Sequence, residues 1–146
     1  MPNLMRRLTV SLAMAFVSIS CVPAVTRSFE VTLQGSGQPA LHIVLFDDAQ
    51  VVDGVEPLGQ GDQWGYGDPV VVADPVDPAV LVLTWAGGAC SRDGEITLRN
   101  AGGGYTLHLT ASGTSGNCTG AAVDRGVRIR TTTVLDPAQI TISGGG

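Results

Sequence analysis

The sequence predicts an all-β protein, an antiparallel β-sandwich of immunoglobulin-like type with about seven to eight short strands and one disulfide. Three observations lead there. From Ser28 onward, apolar residues recur at spacing two, and helical spacing is hard to find in any window of useful length free of Gly and Pro. Turn residues break this alternation at short intervals, with 20 Gly and 8 Pro among 146 residues. Two cysteines, Cys90 and Cys118, bracket the strongest hairpin signal in the chain.

The N-terminus comes first. Arg6 and Arg7 precede an apolar run from Leu8 to Ile19, and no acidic residue occurs before Glu30. This is the layout of a signal peptide. The run is about a dozen residues, whereas a membrane-spanning helix needs roughly 20. The residues around the twin arginines (Met5, Thr9, Val10) fit general secretion better than the twin-arginine route. Two cleavage sites compete. Val22-Pro23-Ala24 suits ordinary signal peptidase, while Ser18-Ile19-Ser20-Cys21 resembles a lipobox, in which Cys21 is acylated and becomes the first mature residue. The expected organisation is a signal peptide over 1–24, cut before Cys21 or after Ala24, then one β-sandwich domain over 25–146. The expected location is extracellular or anchored to the membrane as a lipoprotein. Membrane contact is expected only through the signal or a lipid on Cys21.

The strands follow in order. Phe29, Val31 and Leu33 alternate with polar neighbours before Gly35-Ser36-Gly37-Gln38-Pro39 breaks the pattern. Leu41–Phe46, Val70–Ala73 and Val80–Trp85 are nearly continuous apolar runs, as in strands covered on both faces. The stretch 40–53 has no Gly or Pro, so a short helix is an alternative there. Glu95–Arg99 and Tyr105–Thr110 alternate around Asn100-Ala101-Gly102-Gly103-Gly104 and form a β-hairpin, with Ile96, Leu98, Tyr105, Leu107 and Leu109 on its core face. Val127–Val134 and Gln139–Ile142 are the last two strands, separated at Asp136-Pro137.

Either cleavage leaves Cys90 and Cys118 as the mature thiols, and two cysteines in an exported chain pair in an oxidising compartment. Closing that 29-residue loop restricts the unfolded chain by roughly 3.6 kcal/mol on the loop-entropy model. Zinc is not expected, because the spacing is not CxxC and the chain has only two histidines.

Charge narrows the function. The chain beyond the signal keeps six arginines against 13 acidic residues, a formal charge of −7. Such a surface repels phosphate backbones, so no nucleic acid partner is expected. Arg125, Arg128 and Arg130 form the local basic cluster, in which Arg128 and Arg130 alternate with Val127 and Ile129 as on the solvent face of a strand.

Trp85-Ala86-Gly87-Gly88-Ala89-Cys90, followed by a hairpin and Cys118, resembles a pattern in small exported bacterial proteins with no defined activity. The likeness covers roughly residues 80 to 142. It implies a disulfide-closed exported domain and transfers no catalytic role.

Catalytic sets are incomplete. A nucleophilic hydrolase needs a base beside its nucleophile, and both His42 and His108 fall inside strands as structural or solvent-facing residues. GxSxG, HExxH and Walker patterns are absent. Asp47, Asp48, Asp53, Glu56, Asp62 and Asp68 crowd one region without the spacing of an EF-hand loop, so no metal and no cofactor are expected. Those carboxylates do support a rival reading, a carbohydrate-active enzyme using acidic loop residues.

The segment composed for contact is 59–69. Its glycines give adaptability, Trp64 and Tyr66 offer flat faces, and Asp62 and Asp68 offer hydrogen-bonding groups. The plainer reading turns Trp64 and Tyr66 inward to plug one end of the sandwich. The function expected from all this is a non-enzymatic binding or accessory module that meets a protein or glycan at the cell envelope.

Overall fold

The computed structural model describes residues 26–33, 41–59, 67–88, 91–114 and 122–144. These form nine strands and one short 3-10 turn. The strands are β1 (Arg27–Leu33), β2 (Leu41–Asp47), β3 (Val52–Pro57), β4 (Val70–Ala73), β5 (Val80–Gly88), β6 (Ser91–Asn100), β7 (Tyr105–Thr114), β8 (Ala122–Thr131) and β9 (Ile140–Gly144). They lie in two sheets, ordered β1-β2-β6-β7-β9 and β3-β8-β5-β4.

One apolar core is shared by the two sheets. Val31, Leu33, Ile43, Leu45, Ile96, Leu98, Leu107 and Leu109 come from the five-stranded sheet, and Val52, Leu81, Leu83, Trp85, Val127 and Ile129 from the four-stranded one. Every one of these is at an alternate position of its strand, as the pleat requires when one face meets the core. The architecture is therefore the all-β, two-layer arrangement that the alternation predicts.

The wholly antiparallel expectation is corrected at two pairings. β2 runs parallel to β6, and β7 runs parallel to β9. Parallel neighbours need a connection that crosses over rather than a hairpin, and here the chain supplies it by visiting the opposite sheet between β2 and β6 and again between β7 and β9.

Nine strands replace the expected seven to eight because β3 escapes the alternation test. A register shift between Val52 and Gly54, where β3 meets β8, breaks its period of two. Residues 41–53 of that stretch are strand, bend and the start of another strand, so the helix alternative fails. Val70–Ala73 is an edge strand with partly exposed residues rather than a central one, whereas β5 is buried on both faces from Val80 to Trp85. The strand expected at 127–134 begins earlier, at Ala122, and ends at Thr131.

The hairpin turn is built as its composition demands. Gly102 and Gly103 take positive φ (69° and 132°), Ala101 N–H donates to Gly104 O at 2.9 Å, and Asn100 Oδ1 accepts from Gly102 N–H at 3.0 Å. At the Asp136-Pro137 break, Asp136 Oδ1 caps the 3-10 turn by accepting from Ala138 N–H at 2.9 Å.

Candidate functional site at one end of the sandwich

The registers bring one set of strand ends together. β1 finishes at Leu33 opposite Leu41, where β2 starts. β5 finishes at Gly88 opposite Ala122, where β8 starts, and Ser91 at the start of β6 pairs with Thr114 at the close of β7. β3 ends and β4 begins at this same end. The connections 34–40, 60–66, 89–90 and 115–121 therefore all leave from one end of the two sheets.

The contact segment 59–69 is held at both feet. Leu58 N–H donates to Gly126 O, and Ala86 N–H donates to Gly67 O, each at 3.2 Å. A Cβ on Gly126 would collide with Leu58 Cδ1, so the bare backbone of β8 is what seats the Leu58 side chain. Asp68 is exposed beside the second foot. Asp62, Trp64 and Tyr66 lie outside the described residues, as do Cys21, Cys90 and Cys118.

The acidic residues singled out from the sequence disperse. Asp47 is fully buried at the opposite end, where its Oδ2 accepts from Val52 N–H at 2.6 Å to close the β2–β3 bend. Asp48 faces Arg99 at 3.5 Å, and both line a shallow groove of about 240 Å³ with Phe46, Glu95 and Thr97 on the outer face of the five-stranded sheet. Asp53 and Glu56 are exposed on β3. Among the described residues, no group of three or more His, Cys, Asp or Glu is placed to hold a metal ion.

Both histidines sit on the polar outer face of the five-stranded sheet. His42 Nε2 lies 2.9 Å from Glu30 Oε1, and His108 Nδ1 lies 2.9 Å from Ser143 Oγ. Among the described residues, neither contact joins all three members of a nucleophile, base and orienter set.

The basic cluster divides. Arg130 Nη1 donates to Asp77 Oδ2 at 2.8 Å, and Arg128 Nη1 donates to Asp74 Oδ2. Hydrogen bonds from the Val76 and Asp77 N–H groups, followed by Arg128, hold the Asp74 carboxyl below its ordinary value. Arg130, then the Ala79 N–H, does the same for Asp77. Arg125 is different, being 5% exposed and on the core side. Strand parity carried that signal, because Arg125 shares its parity with the buried Val127 and Ile129, not with Arg128 and Arg130. Trp85 is its cross-strand neighbour.

No protein-family model matches the chain. No curated protein and no solved structure matches it.

Proposed function

We propose that this chain is exported and works as a non-enzymatic binding or accessory module at the cell envelope, meeting a protein or glycan through the 59–69 loop. One observation carries the reading: four connections leave one end of a two-layer scaffold, and the 59–69 segment is fixed there at both feet by β8 and β5. Loops on a rigid strand framework are the usual seat of recognition in such architectures. Trp64 and Tyr66 would supply stacking faces, with Asp62 and Asp68 as polar contacts.

Export rests on the leader, with cleavage before a lipidated Cys21 or after Ala24. The Cys90–Cys118 disulfide is supported by register. Gly88 and Ser91, on either side of Cys90, pair with Ala122 and Thr114, the described residues that bound the segment carrying Cys118. An immunoglobulin-like kinship for the domain rests on the two-layer core and the clustering of loops.

The test is binding of the exported protein to a glycan array and to envelope extract. Loss of the bound species on Trp64→Ala supports the loop, and an unchanged profile removes it. Intact mass measured on the same protein distinguishes a lipid on Cys21 from a chain starting at Val25.

The rival, a carbohydrate-active enzyme, draws on Asp48 and Glu95 lining one groove. Release of reducing sugar from envelope glycans, abolished by Glu95→Gln, would favour it over the binding module.

A further inference from the structure

Phe46 is an aromatic side chain on the solvent side of its sheet. Its neighbours in β2, Leu45 and Asp47, are fully buried, so the pleat turns Phe46 away from the core. Across the strands it meets Ser28 of β1 on one side and Thr97 of β6 on the other, both small. Longer side chains stand one pleat away, Glu95 in one direction and Asp48 with Arg99 in the other. A large ring between short neighbours, with long polar groups beyond them, makes a hollow. This is the groove of about 240 Å³, bordered by Thr26, Asp48, Glu95, Thr97 and Arg99. It lies at the end of β2 away from the 59–69 loop.

The lining sets the ligand chemistry. Asp48 and Arg99 face each other at 3.5 Å, and the Glu95 carboxylate has no ion-pair or hydrogen-bond partner among the described residues. An anion would meet two carboxylates, and a cation would have to compete with Arg99. An apolar ligand would strip water from three charges and return no hydrogen bond. A neutral polyol ring avoids all three costs. Its hydroxyls donate to carboxylates and accept from a guanidinium, while its C–H groups pack on the negative face of an aromatic ring. We propose that this groove seats one neutral sugar ring of a glycan chain, with Phe46 as the apolar wall and Glu95, Asp48 and Arg99 as the hydroxyl contacts. Pockets that enclose a drug-sized molecule measure roughly 300–1,000 Å³, so this smaller hollow takes one ring and leaves its neighbours in solvent. The hollow of about 230 Å³ on the other sheet, bordered by Glu56, Val80, Arg128 and Arg130, has no aromatic wall, and both its arginines are engaged by Asp74 and Asp77.

The site uses no residue of the 59–69 loop, so it stands or falls separately from that reading. Cellotetraose, maltotetraose and N-acetylchitotetraose are the probes, titrated into the exported protein and into its Trp64→Ala variant. At least one of them is expected to move the Phe46 ring and Thr97 amide resonances saturably, and equally in both proteins. Phe46→Ala is expected to weaken that binding by roughly tenfold, read at the Thr97 amide. Phe46→Leu, which keeps apolar bulk without the ring, should weaken it too while leaving Tm near the parent value. Tetragalacturonate and the glucosamine tetramer, which carry the excluded charges, should bind more weakly than the best neutral probe. The proposal is overturned if no neutral probe moves these resonances, if Trp64→Ala abolishes the response, if both Phe46 variants bind as the parent does, or if a charged tetramer binds most tightly. Recovery of a shortened probe also overturns it, assigning the groove to cleavage instead.

Discussion

Asp74, just past β4, and Arg128, in β8, are joined across the intervening strand β5 by a hydrogen bond from Arg128 Nη1 to Asp74 Oδ2. The other Asp74 oxygen accepts from Val76 N–H at 2.8 Å and Asp77 N–H at 3.1 Å, so one carboxylate ties the turn after β4 to a strand two places away. Asp77 repeats the device, accepting from Ala79 N–H at 3.0 Å and from Arg130. Below them Val82 faces outward yet is wholly buried, flanked in register by Val72 and Arg128.

Acid should loosen this arrangement. Both carboxyls titrate below their ordinary value of 3.8 in the folded chain. The stability they contribute is therefore complete above that value and is lost as pH falls through the folded pKa values. Urea midpoints followed from about pH 5 to about pH 2 are expected to decline, and Asp74→Asn with Asp77→Asn to flatten the decline. An unchanged slope in the double variant would remove the assignment.

Asp47 is predicted to be irreplaceable by alanine but not by asparagine. Asp47→Ala leaves the buried Val52 N–H without its acceptor and should cost about 1–3 kcal/mol. Asp47→Asn keeps an acceptor oxygen in the same place and is expected to stay within about 1 kcal/mol of the parent in urea unfolding.

A methyl group at Gly126 has no room. Its Cβ would stand 2.9 Å from Leu83 O and strike the Leu58 side chain, so Gly126→Ala should destabilise by about 1–3 kcal/mol. Because Leu58 is the first foot of the contact loop, the same variant is expected to weaken partner binding. Leu83→Ala, a core truncation away from the foot, should cost about 2–5 kcal/mol and spare affinity in the folded fraction.

If Cys90 and Cys118 are paired, reduction should lower unfolding free energy by about 3–4 kcal/mol. Native and denatured thiol titrations should both read zero before reductant, and reduction should add the mass of two hydrogens. Two titratable thiols in the untreated exported protein would remove the bridge.

The parts of the fold legible in the sequence are those set by near neighbours. Ile96, Leu98, Leu107 and Leu109 alternate on either side of a glycine turn, and all four are buried together. β3 was hidden because its shifted register at Val52/Gly54 destroys the periodicity by which strands are read. The β2–β6 pairing was hidden for a different reason: His42 meets Asp93 only because core packing chooses among partners far apart in the chain. At the candidate site, the composition of 59–69 was readable, while Arg125 passed for one member of a basic cluster. Its neighbours at 127 and 129 held the contrary signal.

The parallel β2–β6 seam also imposes a schedule on assembly. Leu45 has to wait for Ile96, so the first two strands can form an early antiparallel pair but gain their inner neighbour only after most of the chain is present. The β6–β7 arm, whose ends are close in sequence, is the natural nucleus onto which β2 on one side and β9 on the other then dock. A chain ordered this way closes late and waits with open strand edges, which favours compaction after release over stepwise compaction during synthesis.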